Sequence, residues 1–542
     1  MLGIFTSGQM ELSSLLWAGL GITTCIYICT CLYNIYLHPL RHFPGPKLAV
    51  LGPFHEFWYD VIQDGQFLWE IGKMHDKYGP IVRINAHELH IRDSSYYSTI
   101  YAGGGRIVNK ADSAVGPFAA VPSSLLATTD HHQHRARRNY LNPFFSKRAV
   151  VATEPLISER IAKLCQRLES AADTGATVPL DWAFSSLTAD IITQRFYGEH
   201  FNYLDIPDYK NAVTEAILGL AHISNFTRFV PWLLPVMQMT PVCIIRAILP
   251  PFAEFLVVRE EMRRKILASS ETKDGVESGS VIMSALMDTK IPPAERDIDR
   301  LLDEGNVIVF AGTETTSRAL SVGMFYLLDD QTHVHRIRKE LSSVVFTPGR
   351  GYSSSDLELL PYLSGVVHES LRLSFGVVAC LPRVAAHESL QYNGFTIPPG
   401  TPVSQSSYFV HTDPTIYPDP YSFNPDRWIQ AAKDGFPLGK YLVNFTKGSR
   451  QCIGLQMAYT ELYLTIATLV STFDMELYDT TIDHVRIHYI RTVGYPSKYG
   501  DVLELLRGEC RKILDNQDSH GAIEQEQQLR QKVGEAVTGL GM

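Results

Sequence analysis

The longest uncharged stretch of the chain covers residues 12–37, near the N-terminus. About 20 apolar residues span a bilayer as an α-helix, so this stretch is long enough to cross one even when tilted. The apolar core of a secretory signal peptide has only about 7–15 residues and ends at a small-residue cleavage site. Residues 37–41 offer no such site, so the pattern favours a transmembrane anchor over residues 12–37 rather than a signal peptide.

The charges beside this stretch predict its orientation. Glu11 precedes it, whereas Arg41 and Lys47 follow it. The positive-inside rule then places residues 1–11 in the lumen as a short tail and the bulk of the chain in the cytosol. Residues 38–50 contain a Pro-Gly-Pro sequence, and because proline cannot continue a helix they predict a stiff hinge.

Beyond the hinge, helical periodicity dominates. Residues 65–105 alternate between apolar and polar in places, which predicts a small sheet, and residues 384–410 return to short strands. Residues 102–130 are rich in Gly, Ala, Ser and Pro and indicate a long loop. Residues 131–345 are mostly helical in pattern. The predicted fold class is therefore mainly α with a minor β component.

Composition indicates one large domain. No Gly/Ser/Pro-rich linker divides the middle of the 542 residues, so we expect a single unit over residues 51–515, followed by a polar C-terminal tail over residues 516–542. The net charge of −9 does not favour nucleic-acid binding. The eight cysteines include no C-x-x-C pair, which supports neither a zinc site nor a disulfide framework.

The most distinctive motif is F-x-x-G-x-R-x-C-x-G, over residues 445–454, in which Cys452 stands between two glycines. The following residues, 453–473, are mostly apolar and predict a buried helix with Cys452 near its N-terminus. A helix N-terminus stabilises a thiolate, which is the form of cysteine that binds metal. The alternative is a structural cysteine buried in a glycine turn.

The motif resembles the haem-binding loop of the cytochrome P450 family, and matching motifs run in the family's order over about residues 38–510. The resemblance implies the cytochrome P450 fold and haem b, with Cys452 as the axial ligand to iron and with Phe445, Gly448 and Gly454 as further cofactor-binding residues of the loop. A thiolate ligand favours O–O cleavage. Several segments look like fungal microsomal members, many of which serve secondary metabolism, including terpenoid oxidation of the trichodiene oxygenase type.

A predicted helix over residues 296–328 carries the sequence A-G-T-E-T at residues 311–315. It resembles the family's A-G-x-[DE]-T motif on the distal face of the haem. By that resemblance Glu314 and Thr315 form an acid–alcohol pair that relays the protons needed for O–O cleavage. Positioned proton donors typically contribute about 10²–10⁴-fold to a rate. The alternative is a hydroxyl that only bonds the preceding helical turn, next to a surface carboxylate.

Residues 369–372 read E-x-x-R, which places Glu369 and Arg372 on one helix face. Most such pairs are exposed and contribute little. In the family this pair joins an arginine from a later proline-rich loop, which matches Arg427 in residues 423–428. The resemblance therefore implies a buried structural network of these three residues.

The two haem propionates need cationic partners, and arginine suits carboxylates because its fork can bond them bidentately. The resemblance offers His134, Arg138, Arg383 and Arg450 as candidates. The family usually has tryptophan at the position of His134, although histidine can also donate a hydrogen bond. The alternative for each arginine is a solvated surface charge.

The resemblance implies a membrane-bound monooxygenase that inserts one atom of O₂ into a lipophilic substrate. Electrons would come from NADPH through a separate NADPH–cytochrome P450 reductase, with cytochrome b5 as a further candidate partner, because the chain has no nucleotide-binding glycine motif. We expect a single-pass protein of the endoplasmic reticulum membrane with a cytosolic catalytic domain. A basic face for the reductase is expected from Arg135, Arg137, Lys147, Arg148 and Lys447.

Four mostly apolar segments are the expected substrate contacts, namely residues 102–125, 213–250, 307–311 and 377–381. Two other functions keep part of this interpretation. A haem-thiolate isomerase or dehydratase would use the same fold without O₂ activation, and a haem or lipophile carrier would have no catalytic role. The intact Glu314–Thr315 pair favours the monooxygenase, because neither alternative needs a proton relay.

Overall fold

Helices dominate the structure, a computed structural model that describes residues 4–271, 288, 290–347, 349–497 and 507–512. The α-helices are, in chain order, α1 (Ile4–Tyr36), α2 (Phe54–Phe57), α3 (Phe67–Tyr78), α4 (Tyr97–Ile100), α5 (His131–Leu141), α6 (Lys147–Val151), α7 (Glu154–Thr174), α8 (Leu180–Tyr197), α9 (Ala212–Thr227), α10 (Leu233–Met239), α11 (Val242–Ile248), α12 (Pro250–Glu271), α13 (Ile298–Asp329), α14 (Gln331–Leu341), α15 (Ser354–Leu357), α16 (Pro361–Ser374), α17 (Ser407–His411), α18 (Asp426–Lys433) and α19 (Leu455–Thr472). The prediction of a mainly helical chain is confirmed.

The strands are short, and they are β1 (Ile81–Arg83), β2 (Leu89–Ile91), β3 (Val108–Lys110), β4 (Val178–Pro179), β5 (Arg383–Ala385), β6 (Leu390–Tyr392), β7 (Phe395–Ile397), β8 (Pro402–Ser404), β9 (Phe473–Tyr478), β10 (Tyr489–Arg491), β11 (Val493–Tyr495) and β12 (Arg507–Lys512). A five-stranded sheet has the order β1-β2-β8-β5-β3, in which only β2 and β8 run parallel. The predicted early sheet and the strands predicted within residues 384–410 therefore join in one sheet. A second sheet has the order β4-β12-β9, and β6–β7 and β10–β11 are hairpins.

Helix α13 is the central element of the fold. It has 32 residues and is preceded by the N-cap Asp297, whose side chain accepts the N–H of Asp299 at 2.9 Å. It packs against α8, α12, α16 and α19, and most of its residues are buried. Helix α19 begins directly after the cysteine loop, so its packing on α13 joins the two motif-bearing segments.

The N-terminal helix α1 contains one candidate membrane span, Ser13–Tyr36, of 24 residues with a mean hydropathy of 1.8. Near its end, Asn34 is buried and donates from Nδ2 to the carbonyl oxygen of Val50 at 3.1 Å. The side chain of Arg83 donates from Nη1 to the carbonyl oxygen of Asn34 at 2.9 Å. The division into tail, anchor, hinge and catalytic domain stays a prediction, and the predicted C-terminal tail lies outside the described residues.

Candidate active site

The cysteine loop precedes α19 and is held by backbone contacts. The N–H of Cys452 donates to the carbonyl oxygen of Phe445 at 2.9 Å, which closes the loop. Gly448 has a φ of +74°, and a Cβ there would lie 2.1 Å from the carbonyl oxygen of Ala102. Only glycine fits that conformation and that space. At Gly454 a Cβ would make an ordinary 3.9 Å contact with the Cys452 Sγ, so steric crowding by the described residues does not require that glycine.

Cys452 is an exposed residue, although the protein packed around its thiol raises the pKa of that group above its usual value. Burial by the surrounding protein raises the pKa of the thiol, while hydrogen bonds from the backbone N–H groups of Gly454 and Leu455 and the nearby Arg138 charge act in the opposite direction. Such N–H groups at the start of a helix stabilise a thiolate. The loop can therefore present a sulfur ligand to a metal.

Cationic side chains gather beside this loop. Lys110 on β3 and Arg383 on β5 are direct partners in the sheet register, and both are buried. Arg450 donates to the carbonyl oxygens of Thr128 and Thr129 at 2.7 and 2.5 Å. Burial lowers the pKa of Lys110 and that of Arg450, the latter to about 9, and the neighbouring cations lower both further.

The two candidates on α5 belong to the same group. Arg138 donates to the carbonyl oxygen of Gln451 at 2.5 Å. His134 is buried, and burial together with Arg450, Arg138, Lys110 and Arg383 lowers its pKa to about 2. The imidazole is therefore neutral at pH 7 and keeps one N–H for donation.

These residues form a cation cluster, consisting of Lys110, His134, Arg138, Arg383 and Arg450. Within the part of the chain that the structure describes, the hydrogen bonds of its four charged members go to backbone carbonyls rather than to carboxylates. Buried cations without a compensating anion are costly, so the cluster suits a ligand with negative groups. Two propionates on a macrocycle beside a cysteine sulfur meet that requirement. Sequence reasoning missed Lys110, which only the β3–β5 pairing brings to the site.

The acid–alcohol pair lies in the middle of α13. The Thr315 Oγ1 donates to the carbonyl oxygen of Ala311 at 2.8 Å, one turn earlier. Ala311 is exposed although most of the helix is buried, so the helix opens to a space at this turn. A Cβ on Gly312 would meet the Ile192 side chain at 3.2 Å, which keeps α13 close to α8.

Glu314 is buried rather than a surface charge, with 9% of its surface exposed. Burial raises the pKa of its carboxyl group to about 7, against the opposing effects of the Arg318 charge and a hydrogen bond with the side chain of Tyr495. Near pH 7 the group is therefore present in both protonation states, as a proton donor requires. Tyr495, on the distant strand β11, was not anticipated from the sequence.

The E-x-x-R motif forms a buried network on α16. The Arg372 guanidinium bonds both oxygens of Glu369, at 2.8 and 2.7 Å, and both residues are fully buried. Arg427 lies 3.3 Å from Glu369, so the structure brings the three predicted members together. Trp428 donates from Nε1 to Glu369 at 2.8 Å and the N–H of Asn424 donates at 3.0 Å. These donors add a fourth side chain that the sequence did not predict.

The prediction that Arg137 belongs to an exposed basic face is wrong. Arg137 is buried and pairs with Glu295 at 3.0 Å, so it cannot contribute to an exposed basic face. The turn of α5 directs Arg137 inward, whereas Arg135, two residues earlier, is exposed. Lys147 is exposed but pairs with Glu358 at 2.8 Å.

Comparison with known proteins identifies the family of the chain. The family model for cytochrome P450 matches residues 44–491. The chain belongs to the cytochrome P450 family. The P450 is 50% identical over 512 residues to "Cytochrome P450 monooxygenase TRI4" of Trichoderma arundinaceum, which covers 94% of this chain and 99% of the relative. It is 52% identical over 502 residues to "Cytochrome P450 monooxygenase SAT11" of Stachybotrys chartarum, covering 92% and 94%.

A solved structure supports the fold. Retinoic acid bound cyanobacterial CYP120A1 matches this P450 with a TM-score of 0.65 at 22% identity, over 87% of this chain and 99% of that one. The relatives and the family model make the protein a P450 monooxygenase, an oxidoreductase with a haem-thiolate cofactor. Monooxygenases of this family generally act on lipophilic substrates and take electrons from a redox partner.

Proposed function

We propose that the protein uses haem b, held by Cys452, to insert one atom of O₂ into a terpenoid or another lipophilic fungal secondary metabolite. The observation that carries this proposal is the pairing of the Cys452 loop with the cation cluster. A sulfur ligand beside buried and half-buried cations whose described hydrogen bonds go to backbone carbonyls suits an iron porphyrin with two propionates. When bound, the haem supplies the oxidising power.

In this proposal the protein holds the cofactor and controls protons around it. His134, Arg138, Arg383 and Arg450, together with Lys110, hold the propionates through charge-assisted hydrogen bonds. The rigid loop around Gly448 fixes the sulfur. Phe445 supplies the carbonyl that closes the loop and packs on Tyr459, with ring centroids 5.5 Å apart.

Proton delivery falls to Thr315 and Glu314. The Thr315 hydroxyl donates its hydrogen to the carbonyl oxygen of Ala311, which leaves its lone pairs free to accept a hydrogen bond. A rotation of that side chain turns it into a donor toward the space at this turn. Glu314, with its pKa near 7, can restore the transferred proton without a large energetic cost.

The remaining elements of the proposal concern location and partners. The candidate span in α1 supports a single-pass anchor in the endoplasmic reticulum membrane, with the catalytic domain in the cytosol. An NADPH–cytochrome P450 reductase, with cytochrome b5 as an auxiliary donor, would deliver electrons to an exposed basic face. Arg135 and Arg148 are exposed and suit that face, since surface charges steer encounter more than they set affinity.

The absorption spectrum of the dithionite-reduced, CO-bound protein tests the proposal. We expect the strongly red-shifted Soret band of thiolate ligation in the wild type and its loss in Cys452→Ala. Cys165→Ala is the matched control, because Cys165 is a buried cysteine on α7. Absence of the band in folded, haem-loaded wild-type protein, or its persistence in Cys452→Ala, would contradict the proposal. If the expected band is observed, NADPH oxidation that occurs only with added reductase would support electron transfer from that separate protein.

A further inference from the structure

A cavity of about 110 Å³, lined by both apolar and charged side chains, lies at a junction of segments distant in sequence. Its wall includes the charged side chains of Glu56, Asp60, Glu88 and Arg228. A drug-sized ligand usually occupies about 300–1,000 Å³, so this space suits one end of a molecule rather than a whole one. Charged groups are unusual in the wall of a cavity expected to serve lipophilic substrates.

The chain places this cavity next to the candidate active site. Ser113 in its wall lies three residues after Lys110, and Pro382 directly precedes Arg383, so two walls continue into the cation cluster. Thr492 lies at the tip of the β10–β11 hairpin, which also carries the partner of Glu314. Three of the four segments that the sequence suggested as substrate contacts, 102–125, 213–250 and 377–381, also contribute to the wall.

On one side of the cavity, the guanidinium of Arg228 is paired with two carboxylates. Arg228, just after α9, pairs with Glu56 at 2.5 Å and with Asp60 at 2.6 Å. Asn225 donates to the carbonyl oxygens of Asp60 and Ile490 at 3.1 and 3.0 Å, which fixes the end of α9 in place. The Nε of Arg228 has no hydrogen-bond partner within the described residues. Two carboxylates already compensate this guanidinium, so it offers hydrogen bonding without attracting a further anion.

Glu88 supplies the other polar group. It is 6% exposed, and its Oε1 accepts a hydrogen bond from the Ser404 hydroxyl at 2.9 Å. Burial and the nearby Glu56 charge raise the pKa of Glu88 to about 8, against the opposing effects of hydrogen bonds with Ser404 and Ser113 and of the Arg228 charge. Glu88 is therefore mostly neutral at pH 7 and carries an O–H that can donate. A carboxylate ligand would meet two negative side chains here and only one, already paired, cation.

We propose that this cavity is a polar subsite of the substrate site, which binds the oxygen-bearing end of a neutral lipophile. Glu88 donates to a hydroxyl, ether or ketone oxygen of the substrate, and the Arg228 group provides further donors and acceptors. The favoured substrate class is thus a neutral, already oxygenated lipophile rather than a pure hydrocarbon or a carboxylic acid. This inference rests on the proposed function, because it assumes that the adjoining site oxidises the bound molecule.

Binding titrations on the haem-loaded full-length protein test the subsite. The probes are farnesol, β-farnesene and farnesoic acid, which share the arrangement of their carbon atoms. Farnesol and farnesoic acid differ in the oxygen group, and β-farnesene lacks oxygen and has its double bonds shifted at that end. The readout is the ligand-induced shift of the ferric Soret band. We expect farnesol to bind roughly 3- to 10-fold more tightly than the hydrocarbon, the range that one net hydrogen bond provides. Farnesoic acid should bind more weakly than farnesol.

Variants of Glu88 assign the preference to this cavity. Glu88→Leu should bring the farnesol-to-farnesene affinity ratio close to one, whereas Glu88→Gln should preserve it, because its amide still donates. Glu461→Gln is the matched control, since burial also raises the pKa of Glu461 to about 8 but that residue is on α19, outside this cavity wall. The control should leave the ratio unchanged.

The outcomes separate the two proposals. The subsite would be overturned by a wild-type farnesol-to-farnesene affinity ratio near one, or by tighter binding of the hydrocarbon or the acid. It would also be overturned if farnesol gave no spectral response, or if Glu88→Leu left the affinity ratio unchanged. The farnesol-to-farnesene affinity ratio of the wild type still tests the subsite if Glu88→Leu yields no haem-loaded protein. The CO spectrum of the same preparation is recorded first, so loss of the thiolate band identifies failure of the proposed function itself.

Discussion

Replacement of Glu369 by glutamine tests how the buried E-x-x-R network stabilises the fold. The wild-type carboxylate accepts two hydrogen bonds from Arg372, and both residues have 0% exposure. Glu369→Gln keeps the size of the side chain but leaves the Arg372 charge without a counter-ion in the interior. Removing one partner of a buried ion pair costs about 3–5 kcal/mol. We expect a loss of unfolding free energy of that size.

The matched control is an exposed pair with the same geometry. Arg336 bonds both oxygens of Asp426 at 2.7 Å, but about half of each side chain is exposed. Asp426→Asn should therefore cost no more than about 1 kcal/mol. The free energies are measured from urea unfolding of the haem-loaded protein, followed by far-ultraviolet circular dichroism.

A second variant separates charge from packing. The double replacement Glu369→Leu with Arg372→Met removes both charges and should be less destabilised than Glu369→Gln, because apolar residues of similar volume can replace a buried pair. The reasoning would be refuted by equal losses in Glu369→Gln and Asp426→Asn. The reasoning would also be contradicted if the double variant lost as much unfolding free energy as the single variants Glu369→Leu and Arg372→Met lose together.

Three further results are expected. Glu314→Gln should become more stable relative to wild type as pH rises from 5 to 8, by about 3 kcal/mol at most. The wild type loses stability over this range because Glu314 ionises near pH 7 in the folded state but near pH 4.5 in the unfolded state. A difference in the free energy of urea unfolding that does not change with pH would exclude this. Gly448→Ala should prevent stable haem loading, since its Cβ would meet the Ala102 carbonyl at 2.1 Å, whereas Gly439→Ala, with open space around it, should load normally; equal Soret absorbance per protein in the two variants would contradict it. Removal of residues 1–30 should shift the protein from the membrane pellet toward the soluble fraction, and unchanged sedimentation would show that the candidate span is not the main attachment.

The parts of the site that could be predicted are those encoded by short local patterns. Cys452, Glu314 and the Glu369–Arg372 pair each belong to a motif of fewer than a dozen consecutive residues, and the helices that carry them follow from apolar periodicity. Within each motif, local backbone geometry sets how its residues lie relative to one another. For such residues the sequence contains both the chemistry and most of the placement.

The residues that were missed depend on contacts between distant segments. Lys110 reaches the cation cluster only because β3 pairs with β5, and Tyr495 reaches Glu314 only because the β10–β11 hairpin folds back on α13. The sequence does not distinguish Arg137 from the basic residues beside it, but Arg137 lies on the side of α5 that packs against the protein, where it pairs with Glu295. Trp428 was visible within the Arg427 motif, but its bond to Glu369 is a tertiary contact.

The attachment of α1 to the rest of the protein has a practical consequence for soluble forms. Arg83 is buried, and its two hydrogen-bonded acceptors within the described residues are the carbonyl oxygens of Ala86 and Asn34. A chain cut after residue 37 loses Asn34 and leaves part of a buried guanidinium unsatisfied, at a cost of about 1–3 kcal/mol. A chain that begins at residue 31 keeps that contact while losing most of the apolar span. The best N-terminus for crystallisation therefore lies inside the hydrophobic helix rather than at its boundary.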